Sequence, residues 1–248
     1  MADYDNRVVR APSAAGVIDE GLRAYMLRVY NYMSIGLVLT ALAAYATATI
    51  PALRALFFAY DAATGAIGLT GLGWIALFAP FAMVLFLSFR INRMSVNAAQ
   101  TTFWAYAALM GVSLTPIIWI YTATSIAQVF FITAATFGAM SLWGYTTKTD
   151  LTGFGSFLFM GLIGLVIASI VNIFLRSTEM MWILSVVGVL IFTGLTAWDT
   201  QQIKYSYSAN DDGTVAGRKA IFGALRLYLD FVNLFLMLLR LMGVSNRR

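Results

Sequence analysis

The chain has 248 residues, 60% of them hydrophobic and only 11% charged, with a mean hydropathy of +0.80. Soluble domains carry about 25% charge, so this composition cannot cover itself with a water-facing surface and takes the bilayer as its main solvent. Cytosolic globular enzymes and disordered chains are excluded, and a formal charge of +5 suits anionic lipid headgroups.

Residues 1–28 mix Asp, Glu and Arg without an apolar run. They read as a tail leading into an amphipathic approach to the membrane, and so long a mixed-charge leader argues against a cleaved signal peptide. Charge-free stretches then mark the spans, each needing about 20 residues to cross. They fall at about 31–52, 72–90, 98–121, 125–146, 153–175, 180–199 and 220–241. The third and fourth come from one uncharged run, 94–147, split near Thr122–Ser125. The seventh contains Arg226, Asp230 and Arg240. Residues 244–248 form a short C-terminal tail. The reading is an all-α membrane protein with one seven-helix domain over 29–243, its links too short for a second folded domain.

Sidedness follows from Lys and Arg. Arg7, Arg10, Arg23, Arg28, Arg90, Arg93, Lys148, Lys204, Arg218 and Lys219 share one side. Arg54 and Arg176 lie on the other, where a seven-span count also puts Arg240, Arg247 and Arg248. The balance favours a cytoplasmic N-terminus, although a basic C-terminal tail on the far side conflicts with it. An even span count, or a last segment that does not fully cross, would remove the conflict.

Several span residues have structural readings. Pro80 and Pro116 free backbone carbonyls and permit kinks. Gly153, Gly155, Gly161 and Gly164 allow close helix packing, and Asn172 reads as a bond across helices. Phe103, Trp104, Trp119 and Trp143 read as interface belts.

Without Cys or His there are no disulfides, thiolate or imidazole metal sites, Ser–His pairs or ordinary near-neutral titrating groups. Chemistry must come from carboxyl, guanidinium and ammonium groups. Ionisable residues within spans carry an insertion cost of about 2.5–3.5 kcal/mol and usually serve a purpose. Asp199 ends span six, Asp230 lies inside span seven, and Arg90 ends span two. Parity puts all three toward one membrane side. Asp230 is up to about 16 Å along a helix from Lys219, so the two carboxyls can meet, with Arg90 within reach.

Two carboxyls in a dry pocket compete for protons, which makes a pH sensor without histidine. Asp199 and Asp230 also begin a hard-cation site. Ca²⁺ takes six to eight oxygens, and Asn233, Gln201 and Gln202 offer more. Plainer readings stand beside these. Headgroup water alone accounts for Asp199 at a span boundary, and Arg226 with Asp230 forms an i, i+4 pair that neutralises itself. Arg90 and Arg93 serve equally as membrane anchors.

The segment Gly194–Lys204 (GLTAWDTQQIK), followed by Leu225–Gly243 (LRLYLDFVNLFLMLLRLMG), resembles the Bax inhibitor-1 (transmembrane Bax inhibitor motif) family. SFRINRMS at 88–95 and GYTTKTDLTGFGSFLFMGLIGL at 144–165 are similar to its bacterial branch, and the likeness covers about residues 20–243. The resemblance implies seven helices with a central C-terminal helix wrapped by two layers of three, in a bacterial inner membrane. It further implies a pH-sensitive calcium leak. The matching pH-sensor positions are Asp199 and Asp230, and the gating arginine falls on Arg90, whose ion pair with Asp199 would hold the pore shut. Trp74–Phe89 holds no Asp or Glu, so an acidic residue known earlier in span two of a relative has no counterpart.

Three functions follow for comparison. One is a Ca²⁺ leak gated by proton occupancy, for which Ca²⁺/H⁺ exchange uses the same residues, with Ca²⁺ and protons as transported partners and no cofactor. Another is a non-transporting regulator acting through contacts with other membrane proteins. The last, an intramembrane aspartyl protease, lacks its Gly-x-Gly-Asp motif, since Trp198 and Leu229 precede the aspartates. A retinal protein is excluded because Lys148, Lys204 and Lys219 lie in links or at span ends.

Overall fold

A computed structural model of the chain describes residues 14–60 and 67–246. The first residues of the expected tail, with Arg7 and Arg10, and the terminal Arg247 and Arg248 lie outside the described residues. Among those described, seven helices are long and apolar enough to cross a membrane. They are α1 (Ala14–Thr49), α3 (Gly71–Arg90), α4 (Val96–Ile120), α5 (Ala123–Thr146), α6 (Thr152–Leu175), α7 (Thr178–Ser206) and α8 (Gly213–Met242). Helix α1 runs without a break through residues 14–28, which composition reads as leader.

The link between the first two spans is more than a loop. It forms a short helix α2 (Pro51–Phe57) and an antiparallel hairpin of β1 (Phe58–Tyr60) and β2 (Ile67–Leu69), with Phe58 opposite Leu69. Elsewhere hydroxyl or carboxylate caps take free N–H groups at the start of five of the helices. Thr70 accepts from Gly73, Ser95 from Ala98, Thr122 from Ser125, Ser177 from Met180 and Asp212 from Val215.

Two groups of three helices flank α8. Helix α4 packs on α1 and α3, and α7 packs on α5 and α6. Helix α8 lies between, touching α1 and α4 on one side and α5 and α7 on the other. It is the most buried span, while α6 is the least and turns most of its surface to lipid. Among lipid tails apolar packing has no water to escape, so close backbone approach and polar bonds between helices matter more. Gly144 of α5 lies against the Ala197 backbone of α7, and Gly155 of α6 against the Trp198 indole. A Cβ at Gly153 or Gly164 meets nothing within 4 Å, so these two glycines are not contact points.

Other single-residue expectations change. Phe103 is fully buried rather than in a belt, edge-on to Tyr228 with ring centroids 5.9 Å apart. Asn172 does not cross helices. Its Oδ1 accepts the Ser177 N–H in the α6–α7 turn at 3.1 Å, beside the left-handed Arg176 that ends α6. Pro80 sits within an unbroken α3. The Ala76 carbonyl it frees accepts the Ser113 hydroxyl of α4 at 2.7 Å, a static repair from the neighbouring helix.

Helix α8 is long and apolar enough to cross fully. Beyond it, Val244 donates to Ser125 Oγ at 2.9 Å, and Thr122 donates to the Val244 carbonyl at 3.1 Å. The described C-terminal residues therefore sit at the α4–α5 turn, at the opposite end of the bundle from the α5–α6 loop.

Candidate functional site: a buried acidic pair

The register between α7 and α8 builds the site. Lys219 Nζ donates to the Ser206 carbonyl at 2.9 Å and binds Asp211 Oδ2 at 2.6 Å, which pins the start of α8 to the end of α7. Antiparallel helices with equal rise then keep residues seven steps inward level with each other. That brings Arg226 beside Asp199. The two form an ion pair through Arg226 Nη2 and Asp199 Oδ1. Asp230 follows one turn deeper on the same face of α8 as Arg226.

Asp199 and Asp230 are both buried, at 7% and 5% exposure, and near enough for each carboxyl to act on the other. Asp230 Oδ2 meets no N–H or O–H donor among the described residues. Two carboxyl groups held close in a dry site compete for protons, because an ionised carboxylate has only acceptors. The geometry is thus a buried acidic pair with one guanidinium beside it. Arg226 is further held by the Trp198 indole, 5.3 Å from its centroid, and Trp198 is seated against Gly155.

Arg90 is not part of this cluster. It is exposed at the end of α3 and makes no ion pair among the described residues. Helix α3 packs on α4, not on α7, so the Arg90–Asp199 pair implied by the resemblance is not formed, and Arg226 takes its place. The i, i+4 ion pair between Arg226 and Asp230 is not formed either, since the guanidinium is turned to Asp199.

Gln201 and Asn233 are also engaged elsewhere. Two residues along a helix rotate a side chain by about 200°, so Gln201 faces away from Asp199. It is fully buried. Its Oε1 accepts the Leu151 N–H and its Nε2 donates to the Thr149 carbonyl, both at 2.8 Å. It therefore clamps the α5–α6 loop. Asn233 Nδ2 donates to the Leu229 carbonyl of its own helix at 2.8 Å. Among the described residues no group of three or more acidic side chains gathers. Two carboxyl groups, one engaged by a guanidinium, fall short of the oxygen shell that Ca²⁺ takes.

A hydroxyl chain lies beside the acidic pair, and sequence reasoning missed it. Tyr30 of α1 bonds Ser141 of α5. Ser141 bonds Thr200 of α7 at 2.9 Å, and Thr200 donates to the Thr196 carbonyl at 2.8 Å. Single hydroxyls on three separate spans give no spacing signal. A second bond crosses α1 to α8, where Thr40 and Tyr228 meet at 2.6 Å. Outside the spans, the Thr152 hydroxyl and N–H groups hold the exposed Asp150 carboxyl below its usual range.

A central α8 between two three-helix groups, with a buried acidic pair at its seam with α7, defines a polytopic membrane protein with an intramembrane ionisable site. The chain belongs to the Bax inhibitor-1 family: the family model described as "Inhibitor of apoptosis-promoting Bax1" matches residues 22–247. It is 46% identical over 248 residues to the uncharacterised protein RP147 of Rickettsia prowazekii, covering 100% of both chains. It is 47% identical over 230 residues to the inner membrane protein YbhL of Escherichia coli K12, covering 92% of this chain and 94% of that one. A Caulobacter vibrioides protein is 44% identical over 247 residues, 98% of each.

Proposed function

We propose that the chain is a pH-sensitive calcium leak channel of the inner membrane, with the Asp199–Asp230 pair as its proton sensor and the Arg226–Asp199 ion pair as its latch. The observation that carries this reading is the burial of two carboxyl groups beside a single guanidinium that grips one of them. Ionisation of both puts two like charges close together in a dry site. A proton on Asp199 removes the charge that Arg226 grips. Either change alters the attraction between α7 and α8, so proton occupancy biases how these helices sit. Ca²⁺ is cargo passing an acidic constriction in this scheme, and no resident metal is needed.

The same logic covers exchange. A pair that holds a proton in one state and a cation in another would couple the two fluxes. The basic end, with Arg23, Arg90, Arg93, Lys148, Lys204, Arg218 and Lys219, faces the cytoplasm in this reading. The test is Ca²⁺ flux into proteoliposomes across pH. Asp199→Asn and Asp230→Asn are expected to abolish the pH dependence, and unchanged flux in both variants overturns the proposal. An imposed proton gradient that drives Ca²⁺ uphill identifies an exchanger. A flux-dead variant with full cellular function identifies a regulator acting through membrane-protein contacts.

A further inference from the structure

A lateral groove of about 840 Å³ opens between α1 and α5, which do not pack closely on each other. Its walls include Leu27, Met33 and Leu37 of α1 and Phe130 and Phe137 of α5, and Phe231 of α8 forms its floor. From Arg23 to Leu37 the groove follows α1 for about 21 Å, more than the roughly 15 Å hydrocarbon depth of one leaflet. Arg23 is the one charged residue lining it among those described, and it sits exposed at the mouth. Tyr30 and Tyr145 line the same half. Lys204 reaches the Tyr145 carbonyl at 2.8 Å, so a second cation marks that end.

An apolar channel inside a membrane, capped by a cation at headgroup level, has the polarity of one phospholipid: tail inward, phosphate at the mouth. We propose that this groove binds an anionic phospholipid, with one acyl chain between α1 and α5 and its phosphate at Arg23. The site does not depend on the ion-leak reading. It does lie behind the acidic pair. Phe231 adjoins Asp230 in sequence, and groove-lining Ser141 is bonded to Thr200, the neighbour of Asp199. A bound chain braces the α1–α5 gap against α8.

Gly138 lines the groove, and a Cβ there meets nothing within 4 Å, so a side chain can start from this position without a clash at its Cβ. Gly164 on α6 is equally open and lies away from the groove. The full chain is purified in detergent, exchanged with phosphatidylglycerol or phosphatidylethanolamine, and examined by native mass spectrometry for retained lipid. Wild type and Gly164→Phe are expected to keep one phosphatidylglycerol in preference to phosphatidylethanolamine. Gly138→Phe loses it, and Arg23→Gln loses the preference. Four results overturn the proposal: no retained lipid in the wild type, equal retention of both lipids, the same retention in Gly138→Phe as in wild type, or equal loss in Gly164→Phe. A dimer that Gly138→Phe dissolves places a second copy of the chain in the groove and overturns it as well.

Discussion

The Arg226–Asp199 contact invites a double-mutant cycle. One charge-assisted hydrogen bond contributes about 1.5–3 kcal/mol, and breaking a fully buried ion pair costs about 3–5 kcal/mol. The Asp199 side chain is 9% exposed and that of Arg226 29%, so the pair is not fully buried in protein and the lower range applies. The expected coupling is about 2 kcal/mol. The single variants should differ. Asp199→Asn leaves Arg226 one turn from Asp230, a second carboxyl to which it can turn. Arg226→Gln leaves two facing carboxyls with no cation, so it is the more damaging change, and its cost shrinks as acid neutralises them. Unfolding by SDS in mixed micelles, followed by tryptophan fluorescence, measures all three variants. A coupling within about 0.5 kcal/mol of zero, the level at which independent sites add, refutes the claim that this pair holds α7 to α8.

Gln201→Ala removes both partners of the α5–α6 loop, leaving the Leu151 N–H and Thr149 carbonyl unpaired. A loss of about 2 kcal/mol is expected in the same unfolding assay, since each orphaned group costs about 1–3 kcal/mol when buried. Gly155→Ala should lower the melting temperature by pushing Trp198 aside, whereas Gly153→Ala, with open space at its Cβ, should leave it unchanged or raised. Ser113→Ala should cost about 1 kcal/mol by orphaning the Ala76 carbonyl that Pro80 frees, seen as a lower SDS midpoint. Arg90→Gln should leave unfolding unchanged, because its exposed guanidinium holds no ion pair among the described residues.

The spans were legible because charge is expensive in lipid, and an uncharged run of about 20 residues is rare in a fold that faces water. Their boundaries were less so. Caps such as Thr70 and Ser177 set where helices start, and a lone hydroxyl in an apolar sequence is a weak signal. The hairpin after α2 was hidden for a related reason: three-residue strands leave no alternation to read. Within the site, residue types pointed to an acidic pair, but partner choice did not follow from them. The i, i+4 rule binds Arg226 to Asp230 on one helix, while the α7–α8 register set by Lys219 and Ser206 offers it Asp199 instead. Gln201 was open to correction beforehand, since two steps along a helix turn a side chain to the opposite face. Phe103 was not, because a span-end aromatic looks the same in a belt as in a core.

The placement of polar bonds gives the acidic pair its mechanical importance. Helix α8 is tied to the first helix group by Thr40–Tyr228 at 2.6 Å and by Arg218, which donates to the Asn92 carbonyl at 2.5 Å. Toward α7, the side-chain bonds among the described residues are Lys219 at the helix ends and Arg226–Asp199 within the span. Apolar contact alone does not hold helices together against lipid tails as it does against water. The α7–α8 seam within the membrane therefore depends on a titratable ion pair, with the buried Asp230 one turn away, whereas the seam with α1 depends on a pair of hydroxyls. A change in pH acts on one seam and spares the other, so any proton-driven motion is expected between α8 and the α5–α6–α7 group. Spin labels on α7 and α8, placed in this cysteine-free chain, should report a pH-dependent distance that labels on α1 and α8 do not. Equal movement across both seams contradicts the argument.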